Sequence, residues 1–314
     1  MDYYTGDIFF DTDKDYEYQK PIIEVSRKLH VTCCPLCGSV CYTVIGMFLF
    51  KSLTDKWIKK TGFNPIPDIY KDDILEKRVC SYCGLCFYNY ELQDGDWLYD
   101  RLGKSINYYP NFQWEHGVAS SMILELKPKN VLEIGGGYGA FAQRIRNLVP
   151  KVTVSEYNKH AIQILKEKNI NVIANNLDVI DEKFDCICCF ETLEHIKDTD
   201  GFMQNMIRLL DSKGTIMFGT PNPDGILRIN GVGPLNLPPH HQFDFSKKTF
   251  EFIAKKYGLS IIRYLESDLD YHQYERYVQN ITNKELILPD MQGFFEAQKR
   301  YKGHFHFVAM KNNK

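Results

Sequence analysis

The sequence predicts an α/β protein, a doubly wound and mostly parallel sheet preceded by a small cysteine-rich module. Three observations carry this. From residue 131 onward, short apolar runs alternate with stretches of helical periodicity, the pattern of strands joined by crossover helices. The run at 131–134 leads directly into Gly135-Gly136-Gly137-Tyr138-Gly139, which marks a strand-to-helix corner. Two C-x-x-C-G knuckles stand well before it, Cys34-Pro35-Leu36-Cys37-Gly38 and Cys80-Ser81-Tyr82-Cys83-Gly84.

The length of 314 residues suffices for one large domain and a smaller module. A net charge of -2, from 38 basic and 40 acidic residues, offers no global attraction to nucleic acid or an anionic membrane, which argues against an RNA substrate. Ten cysteines, with no secretory signal in the Asp- and Tyr-rich start, point to a reducing, cytoplasmic compartment. The longest apolar run, 42–50, is far shorter than the roughly 20 residues that cross a bilayer. A soluble cytoplasmic protein is therefore expected.

Residues 1–30 lack sustained periodicity and read as a tail without assigned function. Residues 31–98 read as a zinc-binding module. A lone C-x-x-C serves equally well as a redox pair, but two knuckles, each followed by a glycine that turns backbone N–H groups toward sulfur, supply the four ligands of tetrahedral zinc. Cys34, Cys37, Cys80 and Cys83 are the expected ligands, with Cys33, Cys41 and Cys86 as spares. Four thiolates leave no open coordination position, so the metal would be structural. The 42 residues between the knuckles (38–79) exceed a minimal ribbon and are expected to form a hairpin or a flap. Residues 99–128 read as an aromatic linker and a cap helix at 114–126, with Val118, Met122, Ile123 and Leu126 on one face and Pro128 ending it. Residues 129–314 form the main domain.

Within that domain, Gly135, Gly137 and Gly139 have no Cβ, so they can take positive φ and admit a bulky ligand. Two ligand classes use such a corner. Gly135, Gly137 and Ala140 satisfy the dinucleotide fingerprint, with Glu156 placed for a ribose. Glu133, Gly135, Gly137 and Gly139 equally form E-x-G-x-G-x-G, which resembles motif I of the class I S-adenosylmethionine (SAM) methyltransferases.

Later residues choose between them. Expected strands at 152–155, 171–174, 184–190 and 214–219 alternate with helices at 159–168 and 200–210. Glu191-Thr192-Leu193-Glu194-His195-Ile196 follows the fourth of the domain's strands and is similar to the corresponding motif of the ubiquinone-biosynthesis-like and sugar-methylating groups of that family. Pro238-Pro239-His240-His241, followed by an aromatic residue and a capping Ser246 before a helix at 247–257, resembles bacterial methyltransferases of surface-glycan pathways. Some relatives carry an N-terminal cysteine zinc module, notably sugar C-methyltransferases. Those enzymes continue into a sizeable further domain, and this chain has only some fifty residues after Leu265, which weakens the transfer of carbon methylation.

The resemblance, over roughly residues 31–265, implies a Rossmann-like class I methyltransferase with a seven-stranded sheet, strand six at 260–266 and an antiparallel last strand at 304–310. It implies SAM as donor, with Gly135, Gly137 and Gly139 under the methionine part, Glu133 at its amino group and Glu156 at the ribose. Leu177 and Asp178 would flank adenine, and Glu191 would line the donor site or orient a histidine. The implied acceptor is a sugar, nucleotide-linked or part of a glycan, methylated at oxygen. His241, then His195 and His240, are the candidates to take its proton, because a neutral imidazole near its own pKa can accept one at cytoplasmic pH. Two readings compete. An RNA methyltransferase gripping RNA through the zinc module would need a basic stripe that 31–98 lacks; a non-catalytic SAM- or dinucleotide-binding module would need only the pocket. The oligomeric state is left open, homo-oligomers included.

Overall fold

The cysteine knuckles flank the first two strands of a three-stranded antiparallel sheet in the computed structural model, which describes residues 21–92, 94–106, 108–174, 177–226, 233–282 and 289–313. Residues 1–20 of the expected tail and residues 283–288 lie outside the described residues. By contacts the chain divides into two units. The first comprises residues 1–108, 194–200 and 233–244, the second 109–193, 201–232 and 245–314.

In the first unit, β1 (Tyr42–Leu49) runs straight into α1 (Phe50–Thr61), and β2 (Ile74–Cys80) returns antiparallel to β1 before β3 (Cys86–Tyr88) closes the sheet. The hairpin or flap expected between the knuckles is therefore incomplete as a description, because a helix separates the paired strands. Phe50, Leu53, Trp57, Ile58 and Thr61 form its buried face at helical spacing. The sequence hid it because no side chain caps its start and Phe50 reads as the end of the preceding apolar run. It stops at Gly62, in the left-handed conformation at φ 79°, whose N–H closes on the Ile58 carbonyl at 2.8 Å. A further helix, α2 (Asp96–Ser105), buries Leu98, Tyr99 and Leu102.

Two later segments are woven into this unit. The N–H of Gln242 donates to the Glu194 carbonyl at 2.8 Å, and Cys86 and Asp244 exchange backbone hydrogen bonds of 3.0 and 3.1 Å. Lys77 Nζ meets the Asp244 carboxylate at 2.6 Å with both groups largely buried.

The second unit opens with α3 (Trp114–Leu126) and continues through β4 (Asn130–Ile134), α4 (Ala140–Ile145), β5 (Lys151–Glu156), α5 (Lys159–Glu167), β6 (Asn171–Ala174) and β7 (Phe184–Phe190). Then come α6 (Thr199–Leu209), β8 (Leu210–Pro221), α7 (Lys247–Tyr257), β9 (Leu259–Asp268), α8 (Tyr271–Thr282), α9 (Met291–Arg300) and β10 (Lys302–Asn312). The strand order is β6-β5-β4-β7-β8-β10-β9, with β10 antiparallel to both neighbours and the other recorded pairings parallel. This is the doubly wound sheet with an antiparallel last strand that the sequence predicts. The chain order reverses between β4 and β7, and such a switch point opens a crevice beyond the strands' carboxyl ends.

Burial explains the strand composition. Cys186, Cys188 and Cys189 on β7 are fully buried, and Cys186 and Cys188 act as small core residues between α3, α4 and the neighbouring strands. The expected face of α3 needs correction. Glu115, His116, Ala119, Ser120, Met122 and Ile123 are the buried residues, whereas Leu126 is 41% exposed and Val118 only partly covered. The contact surface is rotated along the helix, so that two polar residues of the first turn go inward. Helix α8 was also not anticipated; with α9 it buries Tyr274 and Phe294 in a small cluster of its own. Among the described residues, no helix is long and apolar enough to cross a membrane.

Candidate functional site

The turn after β4 has the backbone that its glycines allow. Gly135, Gly137 and Gly139 adopt φ of 72°, 52° and 77°, and space as well as conformation excludes side chains at two of them. A Cβ on Gly135 would fall 2.2 Å from Thr192 Oγ1, and one on Gly137 would fall 2.7 Å from the Tyr109 ring. That ring lies against Tyr138, with centroids 4.2 Å apart.

Glu156, the last residue of β5, braces this turn. Its Oε2 accepts from the Gly137 N–H at 2.8 Å, and Oε1 accepts from the Tyr157 and Asn158 N–H groups at 2.8 and 2.9 Å. Glu133 of β4 packs against the turn, 3% exposed, and among the described residues its Oε2 has no hydrogen-bond partner. Burial, followed by the nearby Glu156 charge, pushes its carboxyl up to about 8. A buried acid with an unmet oxygen beside an open-backbone turn suits a ligand that brings a positive group.

Leu177 and Asp178 lie on a short 3-10 turn beyond β6, Leu177 half-buried and Asp178 exposed; Asp178 Oδ1 accepts from Asn205 Nδ2 at 2.8 Å. Glu191, just past β7, holds a positive φ of 46° that non-glycine residues rarely adopt, and its N–H donates to the Gly219 carbonyl at 2.8 Å.

In the first unit the four knuckle cysteines converge. Their sulfurs all lie within 4.8 Å of one another, with Cys34–Cys83 and Cys37–Cys80 each at 3.5 Å. A tetrahedron with metal–sulfur bonds of about 2.3 Å has sulfur–sulfur edges of roughly 3.8 Å, so the cluster fits zinc. Gly38 and Gly84 take φ of 72° and 78°, which lets each knuckle fold back. The hydrogen bond from Cys83 pulls the Cys34 thiol down to about 5, and burial lifts Cys37 to about 11. Cys33, Cys41 and Cys86 stand outside the cluster.

The three candidate histidines also converge within the first unit, with ring nitrogens inside 4.8 Å of one another. His195 Nδ1 is 2.7 Å from the His240 carbonyl, and His240 Nδ1 is 2.6 Å from the Leu235 carbonyl, so in each ring Nδ1 carries the proton and Nε2 the lone pair. Tyr108 Oη lies 2.7 Å from His240 Nε2. Glu194 Oε1 stands 4.0 Å from His195 Nε2 and 3.9 Å from His241 Nε2, so a proton gained by either ring would face a carboxylate. Burial first, then neighbouring imidazoles, holds His240 and His241 well below the ordinary histidine range. Neutral at pH 7, they hold a proton much more weakly than a solvent-exposed histidine, which corrects the expectation of imidazoles near their own pKa.

Comparison with known proteins bears on the second unit. A family described as a methyltransferase domain matches residues 113–264, just under half of the chain and the span that contains β4 to β8. Nodulation protein S of Azorhizobium caulinodans is 34% identical over 101 residues, which covers 29% of this chain and 49% of that protein. A ubiquinone biosynthesis O-methyltransferase of Coxiella burnetii is 28% identical over 108 residues, 32% of this chain and 46% of that one. The chain thus spans about half the length of these curated relatives. Residues 113–264 are similar to a methyltransferase domain. A solved S-adenosylmethionine-dependent methyltransferase from Mesorhizobium loti aligns with a TM-score of 0.47 at 14% identity, over 64% of this chain and all of that one.

In the second unit, the sequence reading gave no role to three side chains. Thr192 and Tyr109 occupy the space beside the glycines. Glu115 is wholly buried on α3, and among the described residues neither of its carboxyl oxygens has a hydrogen-bond partner. Thr192 lies inside the motif already singled out; nothing local distinguishes the other two from packing aromatics and helix-surface acids.

Proposed function

We propose that the protein transfers the methyl group of SAM to a hydroxyl oxygen of a sugar, nucleotide-linked or part of a glycan, and that a structural zinc on Cys34, Cys37, Cys80 and Cys83 organises its first unit. The observation that carries the donor assignment is the bracing of Gly137 by Glu156 at the switch point of the sheet, next to the unmet oxygen of Glu133. SAM bound there would supply an electrophilic methyl group on a positively charged sulfur.

The residues have separate tasks in this reading. Gly135, Gly137 and Gly139 leave room for the methionine portion, and Glu133 accepts a hydrogen bond from its ammonium. Glu156 holds the ribose, while Leu177 and Asp178 border the adenine. Glu191 lines the donor site. His241, then His195 and His240, are the candidates to take the acceptor's proton. Displacement at a sulfonium removes charge instead of creating it, so positioning contributes more than acid–base chemistry: up to about 7 to 11 kcal/mol, against roughly 10² to 10⁴-fold for a placed base. Methylation at oxygen is supported by the similarity to an enzyme named as an O-methyltransferase. The sugar rests on the resemblance of the Glu191–Ile196 and Pro238–His241 motifs to glycan-pathway methyltransferases.

Calorimetry with SAM, its demethylated product and NAD tests the donor, and mass spectrometry after incubation with SAM and a panel of nucleotide sugars tests the acceptor. Binding of NAD without SAM would overturn the donor reading. Methylation of a small RNA but of no sugar would overturn the acceptor.

A further inference from the structure

Glu115 is a fully buried acid, on the first turn of α3, to which the proposed chemistry gives no role. Neither carboxyl oxygen has a hydrogen-bond partner among the described residues. Its Cγ and Cβ fill the space a side chain on Gly219 would need, 2.6 and 2.8 Å from an ideal Cβ there. Gly219 pairs with Phe190, one step beyond the row Ile134–Cys189–Phe218. Gly219, against which Glu115 packs, therefore sits at the level of Gly135, two strands across, roughly 10 Å away at about 4.8 Å per strand.

The charged and titratable groups around it leave the acid uncompensated. On its own helix His116 is neutral, pushed down to about 4 by burial and then by Arg144. Arg144 of α4 is engaged with Ser120 Oγ at 3.0 Å. His306 of β10 is neutral, held at about 3 by burial. Glu191 beyond β7 and Glu133 on β4 add no positive charge. Burial alone lifts the Glu115 carboxyl to about 7.

We propose that Glu115 is the counter-charge for the sulfonium of the methyl donor, protonated while the donor site holds no cation and ionised once the positively charged sulfur arrives. This rests on the reading that the glycine turn binds SAM. SAM and its demethylated product share every other group and differ by the methyl and its positive charge, so binding the first expels a proton that binding the second does not. Glu133, which answers the amino group present in both ligands, drops out of the difference. When the charge on sulfur is gone, the carboxyl recovers a proton from solvent.

The test is calorimetry of SAM and of its demethylated product at pH 7, each in two buffers of different ionisation enthalpy, on the whole protein and on Glu115→Gln. SAM should release about half a proton more than the product, and the Gln variant should lose that difference while keeping its affinity for the product. Equal proton release for the two ligands, or a difference that survives in the variant, overturns the proposal. If neither ligand binds, the donor reading falls and this one with it. Should Glu115→Gln not fold, isotope-edited infrared spectra of the unaltered protein decide: a protonated carboxyl band should vanish with SAM and persist with the product, and a band indifferent to SAM rules the counter-charge out.

Discussion

The Gly137 amide donates to Oε2 of Glu156 at 2.8 Å, so the end of β5 and the turn after β4 are held by one carboxylate. Its other oxygen serves two more amides. Glu156→Ala strands these donors and should cost about 2 kcal/mol of stability, while weakening SAM binding at least about tenfold, or about 1.4 kcal/mol. Glu156→Gln keeps acceptor oxygen without charge and should fall between. Denaturant titration and calorimetry measure the two effects; unchanged SAM affinity in the Ala variant would remove Glu156 from the donor site.

Gly135 is constrained twice, by its φ of 72° and by Thr192. Gly135→Ala should lose about 1 to 3 kcal/mol through backbone strain, with a further loss from the collision with Thr192 Oγ1. Adding Thr192→Ala removes Oγ1 and Cγ2, so the double variant should recover the steric part and keep the strain. Strictly additive effects of the two substitutions on chemical denaturation would contradict the contact.

The four-sulfur cluster predicts about one zinc per chain by metal analysis. Cys37→Ser or Cys83→Ser should abolish it and lower the melting temperature, as should a strong chelator. Cys86→Ser, outside the cluster, should retain full metal content. Zinc loss in Cys86→Ser would show that the ligand set is misassigned.

Glu133 makes stability depend on pH in a defined direction. Its carboxyl stands at about 8 in the folded protein, against an ordinary value near 4.5 when unfolded. Between those values the folded state binds more protons, so this group's contribution to stability falls as pH rises from about 4.5 to about 8, and is level above that. Glu133→Gln should flatten this slope and leave the variant more stable than the parent at pH 8, by a few kcal/mol at most. Urea unfolding at intervals from pH 5 to 9 checks it; parallel curves for both proteins would mean that the acid is solvated.

The local features were written in the sequence. Three glycines one residue apart announced positive φ, and Ser246 announced the start of α7, where its side chain accepts from the Thr249 amide within a capping box. The C-x-x-C-G spacing announced the fold-back of each knuckle at Gly38 and Gly84. Each of these depends on residues within a few positions of one another, where backbone conformation and hydrogen-bond reach are set by the residues themselves. Tertiary structure decided the rest. Glu115 is buried because β8 presents the bare backbone of Gly219 to it, and His240 and His241 lose their basicity because segments far apart in sequence enclose them. Helix α1 emerged between two strands because Phe50, Leu53 and Trp57 found a common buried side. Burial is a property of what the remainder of the chain brings alongside, and the desolvation that governs a carboxyl or an imidazole is invisible until those neighbours are in place.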